Sequence, residues 1–237
     1  MMKKSMVLTT AVAAILSSAN VLADVSVNAA ATNNYIWRGV TQSTDTASVS
    51  GGLDWSDKSG LYAGVWSGSL VGGTETDLYV GFGGEAGSVG YDVGLITYQY
   101  SQAPDYNFSE AYLNLSMADF TVGVATTVDS GMGNDAEKDP TASGMFDSGD
   151  MYVSASYGFT AGKFDVSVFG GSYMFEHDSK DYSATGGATI GEIDYSHYGV
   201  SMTAGEVTIA FEKNDIKDPA EADNVRVVAT WSKSWDI

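Results

Sequence analysis

Apolar and polar residues alternate with a period of two through most of this 237-residue chain, and this pattern restricts its fold. Between residues 75 and 82, the even positions are threonine or apolar, whereas the odd positions are acidic, tyrosine or glycine. This period is that of half-buried β-strands. It predicts an all-β protein with no helix beyond the N-terminal leader. The predicted strands span 25–40, 46–57, 61–70, 75–85, 88–100, 108–117, 120–129, 150–159, 164–175, 194–203, 207–214 and 224–235.

The connections between these twelve segments alternate in length. Outer-membrane barrels combine an even number of tilted strands with short periplasmic turns and longer extracellular loops. All three prolines of this chain fall in the longer connections. The pattern therefore predicts one twelve-stranded antiparallel transmembrane β-barrel with its long loops facing outside. The short connections are 57–60, 86–87, 118–119, 160–163 and 204–206, and the clearest long ones are 101–107, 130–149, 176–193 and 215–223.

The first residues read as an export signal. Lys3 and Lys4 precede an apolar stretch at 6–16, and the small residue Ala23 occupies the last position before the expected cleavage site. We predict a signal peptide at 1–23, with Ala19 as the alternative cleavage position, and a barrel domain at 24–237. No later segment offers the roughly 18 consecutive apolar residues of a membrane-spanning helix. Export leaves the periplasm, the medium or the outer membrane of a Gram-negative bacterium, and we expect the last.

Composition excludes several other classes of protein. The chain has 30 acidic and 11 basic residues and a net charge of −19, which would repel nucleic acid, so we expect no nucleic-acid partner. Its 14 Tyr, 9 Phe and 5 Trp argue against a disordered acidic chain, because such chains are poor in aromatic residues. Cysteine is absent, so the exported protein must be stable without disulfides.

Alternation alone does not say which face is buried, because a soluble β-sandwich alternates as well. The polar face here is rich in glycine, serine, threonine, asparagine and tyrosine and poor in lysine, which favours a membrane barrel with a polar lumen. A soluble exported β-protein remains the alternative. Aromatic residues near the predicted strand ends also favour the barrel, as an interfacial girdle; they are Trp55, Phe120, Phe159, Phe164, Tyr195, Trp231 and Trp235.

The segment Tyr35–Gln42, with the sequence YIWRGVTQ, is the most distinctive in the chain. It resembles the TorF family of exported proteobacterial proteins regarded as candidate porins. The resemblance is dense over 25–115 and thin over 130–222, and it implies an outer-membrane barrel without indicating a solute. Further matches lie at 51–54, 59–66, 75–81, 91–94, 110–112 and 226–228. The terminal Asp236 and Ile237 depart from the aromatic ending expected of a barrel.

Charged residues on the predicted polar face are candidates for a pore lining. Arg38 and Arg226 are the two arginines of the chain, and they fall on the first and last predicted strands, which become neighbours when the barrel closes. Acidic linings favour cations. We therefore expect passive, porin-like passage of small solutes, with a cation preference. The alternative is a non-conducting structural or adhesive barrel with acidic external loops, in which the inward charges pair and block the lumen. The candidate pore-lining residues are Arg38, Asp54, Asp77, Asp92, Glu110, Glu212 and Arg226.

Other chemistry finds little support in the sequence. The acidic loops lack the spacing of a calcium-binding loop, so we expect neither a metal nor a cofactor. His177 and His197 are the two histidines, and no Gly-x-Ser-x-Gly nucleophile motif is present, so we do not expect an enzyme. The expected partners are outer-membrane lipid and lipopolysaccharide, periplasmic chaperones, the barrel-insertion machinery and small solutes.

Overall fold

The computed structural model describes residues 24–131, 146–176, 194–216 and 224–237. Within these ranges, twelve strands form a closed antiparallel barrel, which confirms the predicted fold class. A separate pair of short strands, β2 (Ile36–Trp37) and β3 (Val40–Thr41), is not part of the barrel wall. The wall strands are β1 (Asp24–Thr32), β4 (Ser48–Ser56), β5 (Leu61–Leu70), β6 (Gly73–Ala86), β7 (Val89–Tyr100), β8 (Phe108–Met117), β9 (Phe120–Ser130), β10 (Met151–Ala161), β11 (Phe164–Met174), β12 (Tyr195–Ala204), β13 (Val207–Asn214) and β14 (Arg226–Asp236).

The barrel closes where its first and last strands meet. Strand β1 pairs with β4 along one side and with β14 along the other. Closure gives every wall strand two neighbours and removes the open sheet edges that a lipid environment would not tolerate. The predicted limits of β5, β8 and β13 match the structure, and those of the other strands after the first differ by at most two residues at either end.

The two ends of the barrel differ. Both described chain ends and the short turns lie at one end, here called the turn end, and the long connections lie at the other, called the loop end. A single 3₁₀ turn, Pro104–Tyr106, lies in one loop and is the one helical element of the described ranges. None of the described residues forms a helix long and apolar enough to cross a membrane. The predicted signal peptide and most of the acidic loops at 132–145 and 177–193 lie outside the described residues.

The predicted first strand, 25–40, is wrong beyond Thr32. The chain leaves the wall there, and residues 33–47, called the inward loop, fold into the barrel interior. In this loop β2 and β3 form a hairpin whose two turn residues, Arg38 and Gly39, have φ values of 47° and 82°. Two positive φ angles are typical of the tight turn that suits a two-residue hairpin. The hairpin strands keep the two-residue period, so alternation alone did not separate them from the wall.

The wall is apolar outside and polar inside. On β6 and β7, Leu95 is 52% exposed whereas Asp77 is 0% exposed, which inverts the arrangement of a soluble protein. An apolar outer surface on a closed barrel matches lipid, so the structure favours the outer-membrane barrel over the soluble alternative. Outward apolar side chains occur around the whole barrel, and include Leu53, Leu78, Val80, Phe82, Val93, Leu113, Leu115, Val122, Val153, Val168, Phe211 and Val227.

The predicted aromatic girdle is correct in six of its seven members. Trp55, Phe120, Phe159, Phe164, Trp231 and Trp235 are exposed on the outer surface near the turn end. Tyr195 is the exception, because it starts β12 on the inward face and is buried against Tyr173. The sequence placed it near a strand end but did not indicate which face it occupied.

Tyrosine side chains fill part of the interior by lying flat across glycines of the wall. A Cβ atom at Gly64 would lie 2.3 Å from the Tyr79 hydroxyl oxygen, and one at Gly81 would lie 2.2 Å from that of Tyr62. Glycine in a strand often marks such a close approach. Most of these rings occupy the β5–β8 side of the lumen, and Tyr152 on β10 lies across Gly171 in the same way.

Candidate pore and inward loop

Arg38 anchors the tip of the inward loop to the wall. Its Nη1 and Nη2 atoms each donate a 2.7 Å hydrogen bond to the Glu110 carboxylate. The Tyr98 hydroxyl donates to the same carboxylate at 3.2 Å. The Arg38 and Glu110 side chains are 6% and 1% exposed, so each compensates the other's charge away from water. Removing one member of such a buried pair leaves an uncompensated charge, which costs about 3–5 kcal/mol.

Aromatic rings surround this ion pair. The Arg38 guanidinium lies 4.3 Å from the ring centre of Trp37 and 4.1 Å from that of Tyr152. Such cation–π contacts contribute about 2 kcal/mol when they are desolvated. Trp37 in turn packs against Tyr98 and three other rings with centre distances of 5.8–6.2 Å. The inward loop therefore narrows the lumen toward the loop end.

His197 on β12 contacts the hairpin turn from a different part of the wall than Glu110 on β8. Its Nδ1 atom is 2.8 Å from Glu212 Oε1, and its Nε2 atom is 2.8 Å from the Tyr152 hydroxyl. A Cβ atom at Gly39 would lie 2.4 Å from His197 Cβ, so a side chain at that turn position would collide with the histidine. Both ring nitrogens thus have partners other than serine. His177, the second histidine considered for catalysis, lies outside the described residues.

A third contact holds the inward loop near the barrel rim. Arg226 on β14 contacts Asp45 at 3.1 Å, and Asn34 donates a 2.6 Å hydrogen bond to the same carboxylate. The Asp45 side chain is 62% exposed, so solvent screens this pair more than the pair at Arg38. The prediction that Arg38 lies on the first wall strand beside Arg226 is wrong, because Arg38 lies at the hairpin turn. Both arginines nevertheless form ion pairs that hold the inward loop.

The other predicted lining residues also face the interior. Asp54 accepts hydrogen bonds from Tyr79 and, at 2.9 Å, from Asn28. Asp92 accepts from Tyr62 at 2.5 Å and from Asn114 at 3.3 Å. Asp77, Glu110 and Glu212 are buried on the same inner surface, as is Arg226. The structure thus brings the candidates together around one lumen, and their part in permeation stays a prediction.

A cavity of about 160 Å³ lies beneath the inward loop. Arg38, Asp77 and Asp92 line one part of it, and small side chains of β9–β11 line another. The cavity is bounded by residues of β6 to β12, and β9–β11 contribute its small inward residues. These residues are Thr121, Gly123, Ser154, Ser156 and Ser167.

Sequence reasoning missed the inward loop and the residues that hold it. The pattern predicts a wall strand at Trp37, and no sequence signal assigns His197 a role in holding a loop. Two signals bracket the loop, the Asn33–Asn34 pair and the turn-forming run Ser43–Asp45, and such clusters mark chain reversals. Glu75 lies on the same predicted polar face as Asp77 and is 1% exposed inside the barrel, but it is not among the predicted lining residues.

Asp150 belongs to the stub of a long loop, outside the membrane-spanning wall. Its carboxylate accepts hydrogen bonds from the backbone N–H of Glu176 at 2.8 Å and from that of Asp147 at 3.0 Å. Burial raises the pKa of Asp150 to about 6 in spite of these hydrogen bonds. This carboxyl group therefore links two neighbouring loops at the loop end.

Metal-ligand geometry does not occur in the described ranges, where no group of three or more His, Cys, Asp or Glu side chains is arranged to hold a metal ion. Two of the inner carboxylates, Asp77 and Asp92, are instead far apart along the lumen. Asp77 pairs in register with Tyr98, whereas Asp92 lies six residues away from Tyr98 on β7, or about 20 Å along the strand.

Comparisons with known proteins agree with this architecture. A family model described as "Bacterial protein of unknown function (Gcw_chp)" matches residues 17–186. The solved structure of the KdgM porin is 8% identical, with a TM-score of 0.53 over 89% of this chain and 98% of that one. A structure described under "Unveiling the Mechanism Behind the in-meso Crystallization of Membrane Proteins" is 8% identical, with a TM-score of 0.54 over 90% of this chain and 83% of that one. No curated protein matches the chain. At 8% sequence identity, the similarity to these two structures shows a shared fold alone.

Proposed function

We propose that this chain, which belongs to the Gcw_chp family of bacterial proteins of unknown function, is an outer-membrane channel for passive passage of small solutes. One observation carries the proposal. The closed wall is apolar outside, and its polar interior keeps a cavity beside hydroxyl-bearing and acidic residues. The fold shared with the KdgM porin and the resemblance to the TorF family support the same function.

The inward loop sets the size limit of this channel. It crosses the lumen at the level of Arg38 and Glu110, where an ion pair and several rings hold it. The cavity of about 160 Å³ beneath it has room for several waters or one small polar solute, since a water in the liquid occupies about 30 Å³. We therefore expect ions and small polar molecules to pass and large ones to be excluded.

A cation preference follows from the charges of the lumen. Asp54, Glu75, Asp77, Asp92, Glu110 and Glu212 all point inward from the wall, and together they outnumber the two arginines. Carboxylates in a narrow, low-dielectric passage attract cations and repel anions. The Arg38–Glu110 pair cancels in charge, so the preference arises mainly from the remaining carboxylates.

A liposome-swelling assay with uncharged solutes of increasing size tests the proposal. Purified protein, folded and inserted in liposomes, should admit small sugars or polyols at rates that fall steeply with solute size. Liposomes without protein provide the background. Equal swelling rates with and without inserted protein would contradict the channel and favour the alternative, a non-conducting structural or adhesive barrel.

A further inference from the structure

Asp77 occupies an unusual position in the lumen. Its side chain is 0% exposed and lines the cavity beneath the inward loop, yet neither carboxylate oxygen has a hydrogen-bond partner in the described part of the chain. Its direct cross-strand neighbours are Trp66 on β5 and Tyr98 on β7. A buried carboxylate requires a partner, because removing its charge from water is costly. Its position therefore indicates a ligand that carries positive charge.

The surroundings of Asp77 lack that charge. Glu75 lies two residues away on the same face and is 1% exposed. One of its oxygens is 3.4 Å from the Tyr100 hydroxyl, and the buried Tyr35 hydroxyl lies beside the same carboxylate. Glu110 is neutralised by Arg38. Three carboxylates thus share one guanidinium at this level. The excess of negative charge would be compensated by an added cation.

The chemistry of the lining favours an organic cation over a metal ion. Calcium takes about six to eight oxygen ligands, and the described residues offer no group of three or more metal-binding side chains. Primary ammonium groups need only two or three acceptors, and the Asp77 carboxylate supplies two oxygens without other partners at the edge of the cavity. An ammonium charge also suits the aromatic rings that line the cavity, such as Trp37 and Tyr98.

We propose that this cavity is a binding site for small organic ammonium ions that carry N–H donors, with Asp77 as the direct partner and Glu75 adding negative charge. The inference rests on the proposed function in one respect: the site would lie on the solute path and make small amines a substrate class of the channel. Binding itself does not depend on conduction.

Isothermal titration calorimetry on folded protein in detergent micelles tests the site. The probe is n-butylammonium chloride, compared with tetramethylammonium chloride, which has no N–H donor, and with calcium chloride. We expect saturable binding of n-butylammonium and much weaker binding of the other two. Asp77→Asn should weaken n-butylammonium binding at least tenfold. The matched control is Asp129→Asn, which removes the same charge from an exposed position at the end of β9 and should leave binding unchanged.

Several results would overturn the inference. They are the absence of saturable binding to folded wild-type protein, equal affinity in Asp77→Asn, or calcium binding as tight as that of the amine. If Asp77→Asn does not fold, as shown by heat-dependent gel mobility, the comparison of n-butylammonium with tetramethylammonium on wild-type protein decides. Swelling assays on the same preparations separate the two proposals, because conduction without amine binding contradicts only this one, and binding without conduction contradicts only the channel.

Discussion

Replacing Arg38 with alanine should release the inward loop. The substitution leaves Glu110 buried without its partner, which costs about 3–5 kcal/mol, and it removes the contacts of the guanidinium with Trp37 and Tyr152. Taking only the lower limit, about 3 kcal/mol, the population with the loop outside the lumen should increase roughly 100-fold relative to the population with the loop inside.

The absence of native cysteine makes this population measurable. Val40→Cys places a single thiol in the inward loop, where the side chain packs against the buried aromatic cluster. A maleimide reagent should label this thiol roughly 100-fold faster in the Arg38→Ala background. In the double variant Arg38→Ala/Glu110→Gln no buried charge is left unpaired, so labelling should return most of the way to the slow rate.

Asp45→Asn is the matched control on the same loop. It breaks the more exposed pair with Arg226, which contributes less than about 1 kcal/mol, and asparagine tolerates the positive φ of 55° at this position. Labelling should therefore change less than tenfold. Equal labelling rates in the Arg38→Ala and Asp45→Asn backgrounds would refute the reasoning, and so would a double variant labelled as fast as Arg38→Ala.

Three further predictions concern selectivity, packing and pH. Asp77→Asn and Asp92→Asn should each move the reversal potential under a KCl gradient toward zero, whereas unchanged values would exclude these carboxylates from selectivity. Gly64→Ala should lower the free energy of unfolding in urea by about 1–3 kcal/mol, because the added methyl group collides with a tyrosine ring. The control is Gly158→Ala, which should be neutral or slightly stabilising because its Cβ has no neighbour nearer than 3.9 Å. The contribution of Asp150 to stability should be full below about pH 4 and be lost as the pH rises through about 6, because its folded-state pKa is raised. The dependence of the free energy of unfolding on pH should lack this component in Asp150→Asn. Coincident pH profiles of the wild-type protein and the variant would contradict the assignment.

The wall of the barrel could be predicted from the sequence because its determinants are local. Alternation defines a strand, and turn residues separate one strand from the next. Strand β6 is a long alternating run of this kind. The same alternation placed Asp77 and Glu110 on one face without saying whether that face was inside. Closure of the sheet resolves this, since a closed wall with Leu95 exposed and Asp77 buried matches a lipid exterior.

The inward loop could not be predicted in the same way. Its hairpin keeps the two-residue period of the wall, and its position depends on partners distant in sequence, such as Glu110 and His197. The structure shows how the chain reverses there: the Arg38–Gly39 turn has two positive φ angles, which suit a tight hairpin. Tyr195 illustrates the same limit, because its burial inside the barrel results from its tertiary contacts rather than from its place at a strand end.

Single-channel conductance in a planar bilayer tests the central claim most directly. Purified wild-type protein, shown to be folded and inserted, is examined under a KCl gradient. The structure predicts discrete current steps with a reversal potential of cation-selective sign. Inserted protein that gives no current steps at any applied voltage would contradict the channel and would leave the barrel a structural or adhesive role.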